Sequence, residues 1–180
     1  MIRKTYLILA HKSPVQLKRL IDRLNDGLSF FYIHIDRKSD IEQFMEIIDG
    51  DNVKFITNRI NCLWGDFSQV IATINLIEEV VKNKRDGMVI LLTGQDYPIK
   101  SLSEIDRFIG ENSEYNFIDA VPVEKIWESY KDKIESYKFN VSAARGHCVT
   151  YRKVSKASLR SFLHREISLG QLLLLLKKRK

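Results

Sequence analysis

At 180 residues, with 44% hydrophobic and 29% charged side chains, the chain has the length and composition of one ordinary globular domain with a substantial core. Four of the charges behind its net +6 lie in residues 177–180, so the rest of the chain is close to neutral and we expect no nucleic-acid-binding function. Cys62 and Cys148 lack the spacing of a disulfide framework or a zinc site, which favours a reducing, cytoplasmic setting.

Strand-like and helix-like periodicities alternate from the N-terminus onward. The apolar run 5–10 predicts a first strand and is too short for a signal peptide or a membrane span. A helix is predicted next, with Ser13 as its cap and Pro14 at its first position, where proline is favoured. Its apolar face recurs at helical spacing through Leu17, Leu20, Ile21 and Leu24.

Two more strands and two more helices are predicted before residue 85. The strands cover residues 30–35 and 53–56, and a short helix over 40–48 lies between them. After a loop at 58–65, a longer helix is predicted over 66–84. We expect the short helix to face the core with Ile41, Phe44, Met45 and Ile48. We expect the long helix to face it with Val70, Ile74, Ile77 and Val81.

The segment from residue 88 to 104 contains the strongest local signals. The continuous apolar run 88–92 predicts a fourth strand that is buried on both faces at the centre of the sheet. Polar residues 93–96 follow at its carboxyl end, and Pro98 stops the strand because it has no N–H to donate. Ser101 and Glu104 have the spacing of a helix capping box, which predicts a further helix.

This alternation of strands and helices predicts an α/β fold, with a mostly parallel central sheet and helices on both faces. Residues 1–120 form this half of the chain, with a short fifth strand expected at 116–118. Residues 121–180 are expected to be mostly helical, with helices over 125–137 and 154–176. Because no Gly/Ser/Pro-rich linker separates the halves, we expect a single domain overall.

Polar side chains follow three of the predicted strands at the point where each strand ends. They are His11, Asp36, Gln95 and Asp96. The loop at 58–65 is expected to bring a cation, Arg59, and an aromatic face, Trp64, to the same edge of the sheet. Ligands of open α/β sheets bind outside the carboxyl ends of the strands. Carboxylates for ribose hydroxyls, a cation for phosphate and an aromatic ring together favour a nucleotide as the ligand.

Several common site types are excluded by missing motifs. The sequence has no G-x-G-x-x-G, so a dinucleotide site is not expected, and it has no Walker A sequence. It has no G-x-S-x-G, which removes support for a serine hydrolase. The four histidines lack metal-ligand spacing, so we expect no zinc.

Four segments of this chain resemble the core-2/I-branching glycosyltransferase family in order and spacing: YLILAHKSP, FFYIHIDRKSD, WGDFSQV and ILLTGQDYPIKS. The family includes branching β-1,6-N-acetylglucosaminyltransferases and peptide O-xylosyltransferases, and the chain is similar to its bacterial-type members. The resemblance covers roughly residues 4 to 110. It implies a GT-A-like nucleotide-sugar-binding fold and the transfer, with inversion, of a sugar such as GlcNAc or xylose from a UDP-sugar to an acceptor hydroxyl.

The resemblance also assigns roles to residues at the strand ends. His11 and Asp36 would lie at the nucleoside, and Trp64 would lie near the nucleotide. Gln95 and Asp96 would border the donor sugar and the diphosphate. The expected donor-binding residues are therefore His11, Asp36, Arg59, Trp64, Gly65, Gln95 and Asp96.

We expect no metal and no other cofactor. Many GT-A enzymes hold a divalent cation with a D-x-D after the fourth strand, but this chain has Gly94-Gln95-Asp96 there, and one carboxylate is a poor ligand set for Mg²⁺ or Mn²⁺. The only D-x-D, Asp49-Gly50-Asp51, is expected to be a turn. The resembling family implies a substitute, in which basic side chains neutralise the leaving diphosphate.

The sequence does not identify a catalytic base. In the resembling family the base is a Glu in a D-E-containing segment downstream of the G-Q-D region, and no D-E pair follows Asp96 here. We therefore expect a chain that is shortened at its C-terminus, or whose last segment has diverged, so that 121–180 is an incomplete acceptor half. Asp119 is the candidate for acceptor contact.

Two functions stay open after this reasoning. One is an active sugar transferase that acts on a glycan or a polysaccharide-precursor acceptor. The other is a catalytically inactive UDP-binding remnant or partner module that lacks the base. Residues 169–180, which are leucine-rich and then basic, predict either peripheral contact with an anionic membrane or a solvated chain end.

Overall fold

The structure is a computed structural model that describes residues 3–118, 121–122, 125, 136–140 and 148–152. The chain divides into two compact units, Met1–Phe117 and Ile118–Lys180, and the single domain expected from the sequence stays a prediction. The first unit contains the α/β architecture and every cavity considered below.

Four strands and four helices make up the first unit. The strands are β1 (Lys4–Ala10), β2 (Phe30–Ile35), β3 (Val53–Phe55) and β4 (Met88–Thr93). The helices are α1 (Pro14–Leu24), α2 (Glu42–Met45), α3 (Ser68–Lys82) and α4 (Leu102–Glu111). The sheet order is β3-β2-β1-β4, and all three neighbouring pairs are parallel. The predicted α/β class with a parallel central sheet is confirmed, and the architecture is consistent with a GT-A-like fold.

Both faces of the sheet are covered by helices, as predicted. Successive side chains of a strand point to opposite faces, so β1 and β2 contribute to two cores. The core shared with α1, α2 and α4 contains Tyr6, Ile8, Phe31, Leu20, Phe44 and Ile105. The core shared with α3 contains Leu7, Tyr32, Ile56, Leu76 and Val80. The central strand β1 is therefore buried on both sides.

The prediction that β4 is the doubly buried central strand is wrong. Within the described residues β4 is an edge strand, paired with β1 alone. Ile90 and Leu92 pack against the α1 core, but Val89 and Leu91 on the other face are 43% and 52% exposed. An apolar run shows that both faces of a strand are hydrophobic, but the order of strands in a sheet is not encoded in that local pattern.

The predicted inward face of α3 is also wrong. Val70, Ile74, Ile77 and Val81 are all at least 43% exposed. The buried residues are Ser68, Ala72, Asn75, Leu76 and Val80. Apolar side chains occur on more than one face of this helix, so periodicity alone does not select the buried one. The observed face is selected by tertiary contacts, including the Asn75 side chain, which donates a 2.9 Å hydrogen bond to the carbonyl of Asn58.

The two predicted helix starts differ in their capping. Ser101 and Glu104 form the full capping box at the start of α4, as predicted. Pro14 begins α1, also as predicted, but the Ser13 side chain makes no capping hydrogen bond. Ser13 instead adopts a left-handed conformation with φ of 58°, in which its backbone carbonyl accepts from Gln16 and Leu17.

Other predicted elements are shorter than expected or are not formed. Helix α2 covers only four residues of the predicted 40–48, and of its expected core residues Phe44 and Ile48 are buried while Met45 is half exposed. Residues 116–118 form no strand. In the second unit, β5 (Ser136–Asn140) pairs antiparallel with β6 (Cys148–Arg152), so Ser136 and Tyr137 are in a strand and not at the end of the predicted helix 125–137.

The remaining predictions for the C-terminal part lie outside the described residues. These are the helix over 154–176, the acceptor candidate Asp119 and the leucine-rich, basic segment 169–180. None of the helices that the structure describes has the length and apolar character needed to cross a bilayer.

Candidate functional site

A cavity of about 500 Å³ opens at the carboxyl edge of the sheet, where β1, β2 and β4 end. Its lining consists of Leu9, Ala10, His11, Lys12, His34, Asp36, Lys38, Cys62, Trp64, Gln69, Thr93, Gly94 and Gln95. The parallel register aligns Ala10 with Ile35 and Leu9 with Thr93, so the residues that follow each strand come together. The volume lies in the range of small-molecule and nucleotide sites.

The structure brings four of the predicted site residues to this cavity: His11, Asp36, Trp64 and Gln95. Each follows a strand or belongs to the loop at 58–65, hereafter the site loop. Trp64 lies at the mouth, where its residue surface is 70% exposed, so a planar ligand can stack on the ring. Gly65 follows it in a left-handed turn with φ of 72° and does not line the cavity.

Asp96, which was expected beside Gln95, does not line the cavity. Its carboxylate accepts the backbone N–H of Thr93 at 2.7 Å and so closes the turn after β4. Asp96 borders a separate, largely apolar recess of about 180 Å³, together with Tyr97 and Pro98. Of the expected pair, Gln95 therefore lines the cavity and Asp96 borders the recess.

Arg59 does not line the cavity either, and its guanidinium is not placed to bind a phosphate. It donates hydrogen bonds to the carbonyls of Ile35 at 3.0 Å and Asp36 at 2.8 Å, and a further one to the carbonyl of Ser39. Three backbone acceptors thus hold the cation against the end of β2. Arg59 fixes the segment that carries Asp36, which corrects the predicted role as a donor-binding cation.

Asp36 is the one carboxylate among the lining residues, and it is only 6% exposed. One of its oxygens accepts the backbone N–H of Lys38 at 2.9 Å, and the other lies 3.7 Å from the Lys38 ammonium. That ammonium also donates to the Cys62 carbonyl at 2.8 Å, which ties the end of β2 to the site loop. The result is a buried acceptor with a cation beside it.

The sequence reasoning missed Lys12, Lys38 and His34 as lining residues. Lys12 and Lys38 follow predicted strand ends by two and three positions, close behind His11 and Asp36, which follow the same strands by one. His34 is a lone polar residue within the apolar run of β2, and only the cavity distinguishes it from an ordinary core histidine.

Burial sets the protonation of two of these groups. Desolvation lowers the pKa of His34, although the Asp36 carboxylate partly opposes this, so the imidazole is neutral at pH 7. Its Nε2 accepts the Ile60 N–H at 2.8 Å, as a neutral ring can. Burial raises the pKa of the Cys62 thiol, so it is not an activated nucleophile.

The one D-x-D segment of the chain is not arranged as a metal site. Gly50 accepts the Val53 N–H at 3.0 Å, so Asp49-Gly50-Asp51 begins a turn, as predicted. In the part of the chain that the structure describes, no three His, Cys, Asp or Glu side chains are grouped as metal ligands.

Close approach of backbones makes Gly94 necessary at the cavity wall. Its N–H donates to the Leu9 carbonyl at 2.8 Å, and a Cβ at position 94 would lie 2.8 Å from the Ala10 Cβ. We expect Gly94→Ala to lower the free energy of unfolding by about 1–3 kcal/mol, because backbone must move. The control is Gly110→Ala in α4, where an added Cβ meets nothing within 4 Å and should stabilise by about 0.5–1 kcal/mol. Denaturant midpoints that shift equally in both variants would contradict the close approach.

Comparison with known proteins agrees with the family resemblance of the sequence motifs. The family model described as Core-2/I-Branching enzyme matches residues 5–166, well beyond the roughly 4–110 covered by the resembling motifs. The chain is 29% identical over 132 residues to Xylosyltransferase 2 of Homo sapiens and 25% identical over 124 residues to Xylosyltransferase of Ciona intestinalis. Each alignment covers 66% of this chain, but it covers only 14% of the human protein and 15% of the Ciona protein. The chain thus spans about a seventh of the length of these curated relatives.

Proposed function

The chain belongs to the Core-2/I-branching enzyme family, and we propose that it binds a UDP-sugar at the carboxyl edge of its parallel sheet and transfers the sugar to an acceptor hydroxyl. One observation supports this most: the ends of three parallel strands converge on a single cavity that contains His11, Asp36 and Gln95. Residues from three separate segments of the chain meet there, which is typical of a ligand site in an open α/β sheet.

The nucleoside is assigned to the Asp36 side of the cavity. A buried carboxylate is a strong hydrogen-bond acceptor, and uridine offers donors at the uracil N3–H and the ribose hydroxyls. Asp36 is fixed by the Lys38 N–H and by the Arg59 contacts to the backbone on both sides of it, so its side chain loses little conformational entropy when a ligand binds. Trp64 supplies a ring on which the uracil can stack.

The diphosphate is assigned to the lysines of the same cavity. Lys12 and Lys38 both line it, and ammonium groups stabilise the charge that develops on a departing UDP. The cavity carries two lysines and one carboxylate, a balance that suits an anion better than a divalent cation. We therefore propose metal-independent chemistry, with UDP leaving as the acceptor hydroxyl attacks the anomeric carbon from the opposite side.

The donor sugar and the acceptor follow from family membership alone. Xylose is the first candidate, since the relatives carry the name xylosyltransferase, and GlcNAc is the second. A glycan, a polysaccharide precursor or a peptide is the proposed acceptor. Cytoplasmic location and membrane contact through residues 169–180 remain predictions from the sequence.

A second function, a UDP-binding module without turnover, is supported by one observation. Asp36 is the one acidic side chain among the cavity-lining residues, and it is already engaged with Lys38, so the described part of the chain supplies no free carboxylate at the cavity to act as a general base. This alternative predicts that the nucleotide binds and is not consumed.

Turnover assays separate these functions. We expect the purified chain to release UDP from UDP-xylose or UDP-GlcNAc when glycan or peptide acceptors are present, and to do so equally well in EDTA. Release that disappears in EDTA would refute metal independence. Binding of the UDP-sugar without formation of free UDP would support the UDP-binding module without turnover. Absence of both binding and UDP formation would contradict both functions.

A further inference from the structure

The site loop is tied to the end of β2 by the Arg59 guanidinium, by the contact of Lys38 with the Cys62 carbonyl, and by Ile60. Its carbonyl accepts the Arg37 N–H at 3.0 Å, and its own N–H donates to His34 Nε2 at 2.8 Å. The loop segment before it is held by Asn75, which donates to the Asn58 carbonyl. Ile60 is thus one of the points at which β2 positions the loop that carries Cys62 and Trp64 into the cavity, and it is the point that depends on the His34 ring.

His34 is the only side chain in this arrangement that can change its hydrogen-bonding character near neutral pH. It is 1% exposed, and its ring must be neutral for Nε2 to accept from Ile60. A protonated ring would present N–H to N–H at 2.8 Å, so Ile60 and the loop would have to move away. The acceptor role and the neutral state are therefore linked by geometry.

We propose that His34 is a positioning residue whose neutral imidazole holds the site loop in its ligand-binding position through the Ile60 N–H. The proposal rests on the proposed function, since it assumes that the cavity binds a UDP-sugar. Protonation of His34 releases the loop, withdraws Cys62 and Trp64 from the cavity wall, and weakens binding of the nucleotide sugar.

Burial is the largest influence on the protonation of His34, and the charged groups around it act in opposite directions. Asp36, which directly follows the strand of His34, favours the imidazolium, while Arg59 from the site loop disfavours it. The other titratable groups at the cavity are His11 and Lys12 after β1, Lys38 after β2 and Cys62 in the loop, whereas α3 contributes only uncharged buried residues, such as Ser68 and Asn75. Because burial lowers the pKa of His34, the neutral form and the loop contact are complete at the ordinary histidine value of about 6.5, and they are lost only as pH falls through the lower pKa of the folded protein.

The test is a calorimetric titration with UDP-GlcNAc between pH 8 and pH 5. This probe is chosen because both of its phosphates are esterified, so the ligand itself takes up no proton in this range. We expect the affinity of the wild-type protein to fall on acidification as His34 is protonated, by up to roughly tenfold, in line with the loss of one buried hydrogen bond. His34→Gln keeps an acceptor that does not titrate, so its affinity should be nearly independent of pH. His34→Leu has no acceptor and should bind roughly tenfold more weakly at every pH.

Two further measurements keep the test decisive. His11 is the other histidine that lines the cavity, so the series is repeated in His11→Asn, where the acid sensitivity due to His34 should persist. In the unmutated protein, nuclear magnetic resonance should show coupling across the hydrogen bond from the Ile60 amide to His34 Nε2 at pH 8, and this coupling should weaken in step with the affinity as pH is lowered. Its absence at pH 8, or equal acid sensitivity in wild type and His34→Gln, would overturn the positioning role alone. Failure of the wild type to bind UDP-GlcNAc at any pH would contradict the proposed function, whatever the coupling shows.

Discussion

Replacing Asp36 with asparagine should weaken UDP binding by about 2–4 kcal/mol, roughly 30- to 1,000-fold, with little effect on the fold. The asparagine side chain keeps an oxygen that can accept the Lys38 N–H, so the turn after β2 is preserved. It loses the buried negative charge, and with it the charge-assisted hydrogen bonds that we assign to uridine. Calorimetry with UDP, in the presence of EDTA, measures the loss.

Asp40→Asn is the matched control for this prediction. Asp40 lies in the same connection between β2 and α2, and its carboxylate also accepts a backbone N–H, from Glu42 at 3.1 Å. It does not line the cavity, so the variant removes the same charge four residues away without touching the proposed ligand. We expect its UDP affinity to stay within about twofold of wild type. Equal losses in the two variants would show that Asp36 acts only through net charge.

Replacing Lys4 with methionine should lower the free energy of unfolding by about 3–5 kcal/mol. The Lys4 residue is 1% exposed, and its ammonium lies 2.7 Å from the Asp26 carboxylate and also contacts Asp106. Methionine fills the space of the aliphatic stem but leaves two carboxylates without their cation. Urea denaturation at pH 7 measures this change in the free energy of unfolding. Lys4 is the first residue of β1, so the substitution lies at the end of the strand opposite the cavity.

The control for Lys4 is Lys18→Met, which breaks the exposed pair of Lys18 with Asp22 on α1. Such helix pairs contribute only about 0.3–0.5 kcal/mol, so this variant should be nearly neutral. A similar small effect for Lys4→Met would contradict the account of a buried, paired charge.

The Lys4 cluster also predicts how stability depends on acid. Burial alone would raise the pKa of Asp26, but hydrogen bonds from Lys4 and from the backbone N–H groups of Leu28 and Ser29 outweigh it and hold that pKa well below its usual range. A carboxylate with a lowered pKa stabilises the fold above the unfolded value of about 3.9, and this stabilisation is lost as pH falls below it. The stability difference between pH 7 and pH 3 should therefore be smaller in Lys4→Met than in wild type.

The position of the site was predictable from the sequence, because it follows from topology. Once the alternation of strands and helices predicts a parallel sheet, the residues after each strand must meet at one edge. The convergence of His11, Asp36 and Gln95 on one cavity was predicted in this way. Lys12 and Lys38 follow the same strands and were overlooked beside them.

Local sequence could not predict the features that depend on distant contacts. Arg59 has a side chain that could bind a phosphate, and only the fold shows that its guanidinium donates its hydrogen bonds to three backbone carbonyls instead. Asp96 follows Gln95 directly, yet its contact with the Thr93 N–H turns it into part of the β4 turn. The buried face of α3 is chosen by Asn75 and the loop that it contacts, and no periodicity contains that information.

The central claim is that the cavity at the carboxyl edge of β1, β2 and β4 binds uridine diphosphate. The most direct test is to add UDP, in EDTA, to isotopically labelled protein and to follow the backbone amide resonances. We predict that the shifts are concentrated at residues 9–12, 34–38, 62–64 and 93–95. Shifts concentrated instead around the apolar recess of Leu24, Tyr97 and Ile105, or no shifts at millimolar UDP, would contradict the claim.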